Sequence, residues 1–266
     1  MNFKKTGKII TLICILAMTL TVFAGCGSDK KENKGDQTLI AVTEATYPPF
    51  DTTDDEGNIV GFDMDLLNAI AKDQGFKVEY KSMEFDSLIP AVEAGNADII
   101  AAAMTKDDPN RQKKVDFSNS YYDSSIVVMV KADNDQIKNG IKDFKPDMTV
   151  AAQIGTTSEK KILELKKKGK IKDVKINNGN DICIQQLNQG NVDAVMIDEP
   201  VAKKFMEKFD GLAISGAPLT SDQYGFATSK DNKELMEKIN AGLKNLQESG
   251  EYDQIYNKWF DWSAEK

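Results

Sequence analysis

The chain has 266 residues, 34 basic and 42 acidic, with a formal charge of −8, 41% hydrophobic and 29% charged residues. That balance excludes a chain disordered throughout and a polytopic membrane protein, and it leaves room for one or two globular domains with a sizeable core. An acidic surface repels phosphate backbones, so nucleic acid is not expected as a partner. No histidine is present, which removes Ser-His-Asp and Cys-His nucleophiles and His-ligated zinc together. The expectation is a protein that is not an enzyme, with no catalytic residues, metal or cofactor.

Lys4, Lys5 and Lys8 precede an uncharged, mainly apolar run from Ile9 to Phe23, closed by Ala24, Gly25 and Cys26. The run is short for a membrane-spanning helix, which needs about 20 apolar residues; its charged front and small residues at the end predict a secretory signal over 1–25. Losing three lysines takes the net charge from −8 to −11. Phe23-Ala24-Gly25-Cys26 is similar to a bacterial lipobox, which implies a lipid, palmitate included, on Cys26. Residues 26–38 are polar and lysine-rich and read as a flexible tether. The predicted location is the outer face of the cytoplasmic membrane. Cys14 leaves with the signal and Cys26 carries lipid, so Cys183 is left without a disulfide partner and reads as a small buried hydrophobe.

From Leu39 the pattern predicts a strand over 39–42, a helix over 63–74, a strand over 77–80, a helix over 85–94 and a strand over 99–103. The theme returns with a strand over 149–152, a helix over 158–167, a weak strand near Lys175, a helix over 181–189, a strand over 193–197 and a helix over 200–209. Such alternation predicts an α/β fold with largely parallel sheets. A local echo joins the halves: Gly95-Asn96-Ala97-Asp98 and Gly190-Asn191-Val192-Asp193 both stand between a helix and an apolar strand, with Gly to end the helix and Asn-x-Asp to turn the chain. Ser124 to Lys131 is a strand-like run able to cross between lobes. Tyr224 to Thr228 reads as a strand and Lys233 to Trp259 as two helices, by which the chain crosses back. The expected organisation is a first lobe over 39–128, a second over 129–220 and a return to the first over 221–266. Two crossings form a hinge, and ligands of open α/β sheets sit outside the carboxyl ends of the strands, so the site is expected in the cleft.

Three segments fall at strand ends. Thr43 to Phe50 carries Glu44 and Tyr47 on a stretch held extended by Pro48 and Pro49. Ala102 to Arg111 sets Thr105 and a guanidinium beyond the third strand, and arginine forks onto a carboxylate where lysine does so poorly. Gln153 to Glu159 precedes a helix, with Thr156 and Glu159 spaced as a capping box and amides suited to an anion. Each has an alternative: Tyr47 and Phe50 as core, Arg111 as a solvated residue beside Lys113 and Lys114, and 155–159 as a cap alone. Taken together they surround a carboxylate with donors, while Glu44 and Asp198 offer negative charge to an amine. An amino acid zwitterion is the simplest complement.

The sequence resembles the extracellular solute-binding proteins of polar amino acid ABC transporters from about Leu39 to Phe260. The resemblance lies in ordered pieces: Tyr47-Pro48-Pro49-Phe50, Val60-Gly61-Phe62-Asp63-Met64-Asp65-Leu66, Phe85-Asp86-Ser87-Leu88-Ile89-Pro90-Ala91, Val115-Asp116-Phe117-Ser118 with Tyr121-Tyr122, and Gly155-Thr156-Thr157-Ser158. It implies a two-lobed fold of the type II periplasmic-binding-protein kind, monomeric, with a permease and ATPases as partners. By the resemblance, Tyr47 and Phe85 sandwich the ligand side chain with Glu44 at its polar end. Ala103 supplies a backbone acceptor for the amine, Thr105 a hydroxyl for the carboxylate and Arg111 its clamp. Thr156 and Thr157 are second-lobe donors and Asp198 is the amine's partner. Two departures are visible: five residues part Thr105 from Arg111, a longer connection than the family usually has, and Ala103 stands where many members carry Gly or Ser. Glu44 implies arginine or lysine as ligand. The alternatives are glutamine, cystine or another polar amino acid, or, as an enzyme on the same fold, an exported lyase resembling cyclohexadienyl dehydratase.

Overall fold

The computed structural model describes residues 38–260. The predicted signal segment, Cys26 and all of the tether except Thr38 lie outside the described residues. The first lobe opens with β1 (Thr38–Thr43), a hairpin of β2 (Thr52–Thr53) and β3 (Ile59–Val60), and α1 (Phe62–Gln74). It continues through β4 (Lys77–Ser82), α2 (Leu88–Glu93), β5 (Ile99–Ile100), α3 (Pro109–Gln112) and β6 (Val115–Phe117). After β7 (Tyr122–Ser124) the second lobe holds β8 (Ile126–Lys131), β9 (Thr149–Gln153), α4 (Thr157–Lys167), β10 (Asp173–Asn177), α5 (Asn180–Asn188), β11 (Ala194–Asp198), α6 (Glu199–Lys208) and β12 (Leu212–Ser215). The chain returns through β13 (Asp222–Tyr224) to β14 (Ala227–Ser229), α7 (Lys233–Ser249) and α8 (Glu251–Phe260).

Each lobe is built on one five-stranded sheet, in the orders β4-β1-β5-β14-β6 and β10-β9-β11-β8-β12. In both, three parallel strands are followed by an antiparallel fourth. That fourth strand is the returning β14 in the first lobe and the incoming β8 in the second, so the run at 126–131 lies wholly in the second sheet. The crossings β7 and β13 pair antiparallel, Tyr122 opposite Tyr224 and Ser124 opposite Asp222. The sequence echo is structural as well. Asp98 accepts the Ile40 amide at 2.8 Å and returns its own N–H to the Ile40 carbonyl at 2.8 Å. Asp193 does the same with Thr149, at 2.7 and 2.9 Å. Each aspartate thereby sets the strand it precedes beside a parallel neighbour, β5 beside β1 and β11 beside β9.

Alternating side chains feed the two faces of each sheet. In β9, Val150 and Ala152 pack with Ile162 and Leu165 of α4, whereas Ala151 joins Cys183, Ile184 and Leu187 of α5 on the other face. Cys183 is fully buried, and burial pushes its thiol up to about 11, the setting of an inert small hydrophobe.

Three elements differ from their sequence pattern. The helix expected over 85–94 is divided into a single 3-10 turn, Phe85–Ser87, and α2. The strand expected over 99–103 stops at Ile100, because Ala103 turns to a φ of 43° with its amide captured by Asp63. The strand expected over 224–228 is two strands, since Gly225 donates to the Met104 carbonyl at 3.2 Å and Phe226 to Ser118 Oγ at 3.0 Å instead of continuing one ladder. Among the described residues no helix is long and apolar enough to cross a membrane.

Candidate functional site

The carboxyl ends of β1, β5, β9 and β11 face one small cavity. Tyr47, Phe85, Ala103, Thr105 and Arg111 line it from the first lobe, and Gln153, Thr156, Thr157 and Asp198 from the second. Eight of the nine residues singled out in the sequence therefore surround one space. The ninth, Glu44, is outside that lining but accepts a hydrogen bond from Nε2 of Gln153, which is part of it.

Tyr47 reaches the cavity on the turn that follows β1, where Tyr47 and Asp51 form an isolated bridge. Its hydroxyl donates to Asp198 Oδ2 at 2.6 Å, and the Tyr224 hydroxyl donates to the same oxygen. Burial raises the Asp198 carboxyl above the ordinary range, with the two tyrosine hydroxyls and Arg111 working against that rise. Glu44 is 7% exposed, and burial pushes it up to about 7 despite the Gln153 bond, with the neighbouring Glu84 adding to the rise.

Arg111 is buried, not solvated as its lysine neighbours would suggest. The connection over 106–110 folds into a turn in which the Asp108 carboxylate accepts the amides of Asn110 at 2.8 Å and Arg111 at 3.3 Å, with Pro109 in the first helical turn. That short helix swings the guanidinium back under its own strand end. Nη1 donates to the Thr105 carbonyl at 3.0 Å, Nη2 to the Gly155 carbonyl of the second lobe at 2.9 Å, and the group lies 5.4 Å from the Phe85 ring centroid. Asp108 also pairs with Lys160 of α4 across the cleft. Burial alone would raise Asp108, but the Lys160 bond and the Asn110 amide hold it below the usual carboxylate range.

The capping box is half formed. Thr156 Oγ1 accepts the Glu159 amide at 3.1 Å, as the spacing predicts, but Glu159 Oε2 takes the Gly155 amide at 2.7 Å and not that of Thr156. The Thr156 hydroxyl also donates to the Gln153 carbonyl at 2.7 Å. Gln153, the last residue of β9, has no role in the sequence reading beyond its place in the third segment. It is 1% exposed, and Asn180 Nδ2 orients its Oε1 at 2.6 Å while its Nε2 also reaches the Asn178 carbonyl at 2.9 Å. Its position at a strand end is the signal that points to it. Tyr224, which joins the hinge ladder to Asp198, carries no such signal.

The cavity thus sets a guanidinium against two hydroxyl residues at a helix amino end, and two carboxylates against polar donors at its opposite sides, with aromatic rings between. This complements a zwitterion with a polar side chain. A profile of the bacterial extracellular solute-binding proteins, family 3, matches residues 39–261. The chain is 34% identical over 225 residues to an arginine-binding periplasmic protein of Mannheimia haemolytica, covering 83% of this chain and 90% of that one. It is 32% identical to a probable histidine-binding protein of Neisseria gonorrhoeae over 98% of this chain and 97% of that one. Among solved structures, an ancestral arginine-binding protein bound to arginine superposes with a TM-score of 0.79 at 42% identity, covering 84% of this chain and 98% of that chain.

Proposed function

The chain belongs to the bacterial extracellular solute-binding proteins, family 3, and from that premise we propose that it is a receptor for a basic amino acid, arginine before lysine, which it hands to an ABC permease. The observation that carries the ligand class is the buried Glu44–Gln153 pair, set behind a cavity whose Arg111 and Asp198 suit the two charged ends of an amino acid. In this reading the ligand carboxylate meets Arg111 and the amino end of α4 at Thr156 and Thr157. The Thr105 hydroxyl joins them at the carboxylate, and the amine meets Asp198 and the Ala103 carbonyl. The side chain passes between Tyr47 and Phe85 and places its cation at Glu44. A ligand with a second carboxylate would face Glu44 unscreened and is disfavoured. The first lobe runs from 39 to the β7 crossing and resumes after β13, with the second lobe between them, and lipid on Cys26 holds the chain at the outer face of the membrane.

A thermal-shift screen across the common amino acids tests the reading. A ligand that binds only the folded state, at 100 times its Kd, adds about 2.7 kcal/mol of stability. Arginine and lysine should stabilise most, glutamine less and glutamate least; a larger shift with glutamine or cystine would overturn the basic assignment. Following arginine or prephenate by NMR in the presence of the protein should show no turnover. Mass spectrometry of protein made in a bacterial host should find a diacylglyceryl cysteine at the amino terminus, and an unmodified mature chain would refute the anchor.

A further inference from the structure

Ala103 is the one described non-glycine residue with positive φ, at 43°, and it lines the cavity. An L-residue with a Cβ disfavours that left-handed conformation, whereas glycine adopts it freely. Something must therefore hold Ala103 in place. Its amide donates to Asp63 Oδ2 at 2.7 Å, and the same oxygen accepts the Tyr121 hydroxyl at 2.7 Å. Asp63 lines no part of the cavity. It stands in the first turn of α1, where its own amide is bonded to the Phe50 carbonyl at 3.0 Å and that of Phe62 to the Pro49 carbonyl at 2.9 Å.

We propose that Asp63 is a positioning residue of the ligand site, whose buried carboxylate holds the left-handed turn at Ala103 and so aims the segment 103–105 into the cleft. The inference rests on the amino acid site proposed above. Hydrogen bonds from a backbone amide to a carboxylate are among the strong ones, and here the acceptor is fixed from three sides: by α1, by the turn after Tyr47, and by Tyr121 beside the hinge. The arrangement is costly. Asp63 is fully buried with Oδ1 unpartnered, beside the equally buried Asp51. An apolar residue would fill the same space at lower cost. Breaks of this kind with local rules concentrate at functional sites, and the segment that the carboxylate captures carries Ala103, Thr105 and the Arg111 acceptor.

The test is a double-variant cycle in the full chain, with arginine as the calorimetric probe. Asp63→Ala, which removes the acceptor, should weaken arginine binding about 5- to 30-fold, the range that corresponds to the left-handed preference of a non-glycine residue. Made together with Ala103→Gly, and compared with Ala103→Gly alone, the same change should cost less than about 3-fold, because glycine takes the turn unaided. A merely structural aspartate would give an equal loss in both backgrounds, and that result, or an unchanged affinity in Asp63→Ala, would overturn the inference. Should Asp63→Ala not fold, recovery of folded, arginine-binding protein on adding Ala103→Gly supports it and continued failure overturns it. If the unsubstituted protein binds no amino acid, the proposed function fails instead. The rescue is then read from thermal midpoints, where restoration by Ala103→Gly supports the hold on Ala103 and equal loss overturns it.

Discussion

Glu44 is the residue through which the site should respond to pH. Its carboxyl is raised from 4.5 to about 7, first by burial. The folded state therefore holds a proton there that the unfolded chain has lost, and the stability this contributes is full below about 4.5 and gone as the pH rises through about 7. A guanidinium placed against Glu44 favours the anion, so arginine binding should release a proton in that window. Affinity for arginine should rise by at most about tenfold per pH unit from pH 5 toward 7 and then level off. Titrations in two buffers of different ionisation enthalpy check the proton count, and Glu44→Gln should flatten the profile for arginine while changing that for glutamine little. Arg111 is the group proposed for the opposite charge. Arg111→Ala should cost roughly 2 to 5 kcal/mol of binding, about 30-fold to several thousandfold, with Arg111→Lys recovering part because it loses the fork. Unchanged calorimetric affinity in Arg111→Ala would remove the clamp.

At the scale of elements, the entry to α1 decides where the Tyr47 turn sits. Gly61 has φ 151°, and a Cβ there would lie 2.0 Å from the Phe50 carbonyl oxygen. Neither backbone can yield without breaking the bonds from Phe62 and Asp63 to Pro49 and Phe50. Gly61→Ala should therefore cost more than about 2 kcal/mol and lower the thermal midpoint by at least about 4 °C; a midpoint within 1 °C would show that the turn relaxes. Much of this layer was legible beforehand. Strands and helices follow their periodicity, the Gly-Asn-x-Asp echo marks equivalent pairings in the two lobes, and strand ends point to the cavity. What was illegible depends on partners distant in sequence. The run at 99–103 has the composition of a strand, but Asp63, forty residues earlier, takes the Ala103 amide and ends it. The lysines beside Arg111 leave a solvated face open as an alternative until the Asp108 turn folds it under Thr105. Gln153 has no meaning until Glu44, 109 residues away, is set opposite it.

In the whole molecule, the two lobes meet at the cleft through Arg111 to Gly155, Tyr47 to Asp198, Glu44 to Gln153 and Asp108 to Lys160. Only the last lies outside the cavity's own lining and its Glu44 end. Lys160 is half exposed, so its pair is worth on the order of 0.2 to 1 kcal/mol, or about 1.5- to 5-fold in the closing equilibrium. Lys160→Ala should weaken arginine and glutamine by one common factor of that size, since it alters the population of the closed form and not its contacts. Small-angle scattering of the variant should show a larger radius of gyration without ligand, and unequal losses for the two ligands would argue against a latch.

The insertion of β14 between β5 and β6 also sets an order of assembly. A chain made and released from its amino end presents every strand of the second sheet, 126–215, before the fourth strand of the first sheet exists. Until residue 229 has emerged, β5 and β6 have no partner on their facing edges, and α1 lacks the α7 and α8 that cover it. The lobe that begins first therefore finishes last, and its half-sheet stays an open edge, a surface prone to wrong pairing, for the time taken to deliver more than a hundred residues. Pulse-labelled hydrogen exchange on a chain refolding as it is released should show β8 to β12 protected before β1 and β5. The binding cleft, which needs strand ends from both lobes, is the last feature to mature.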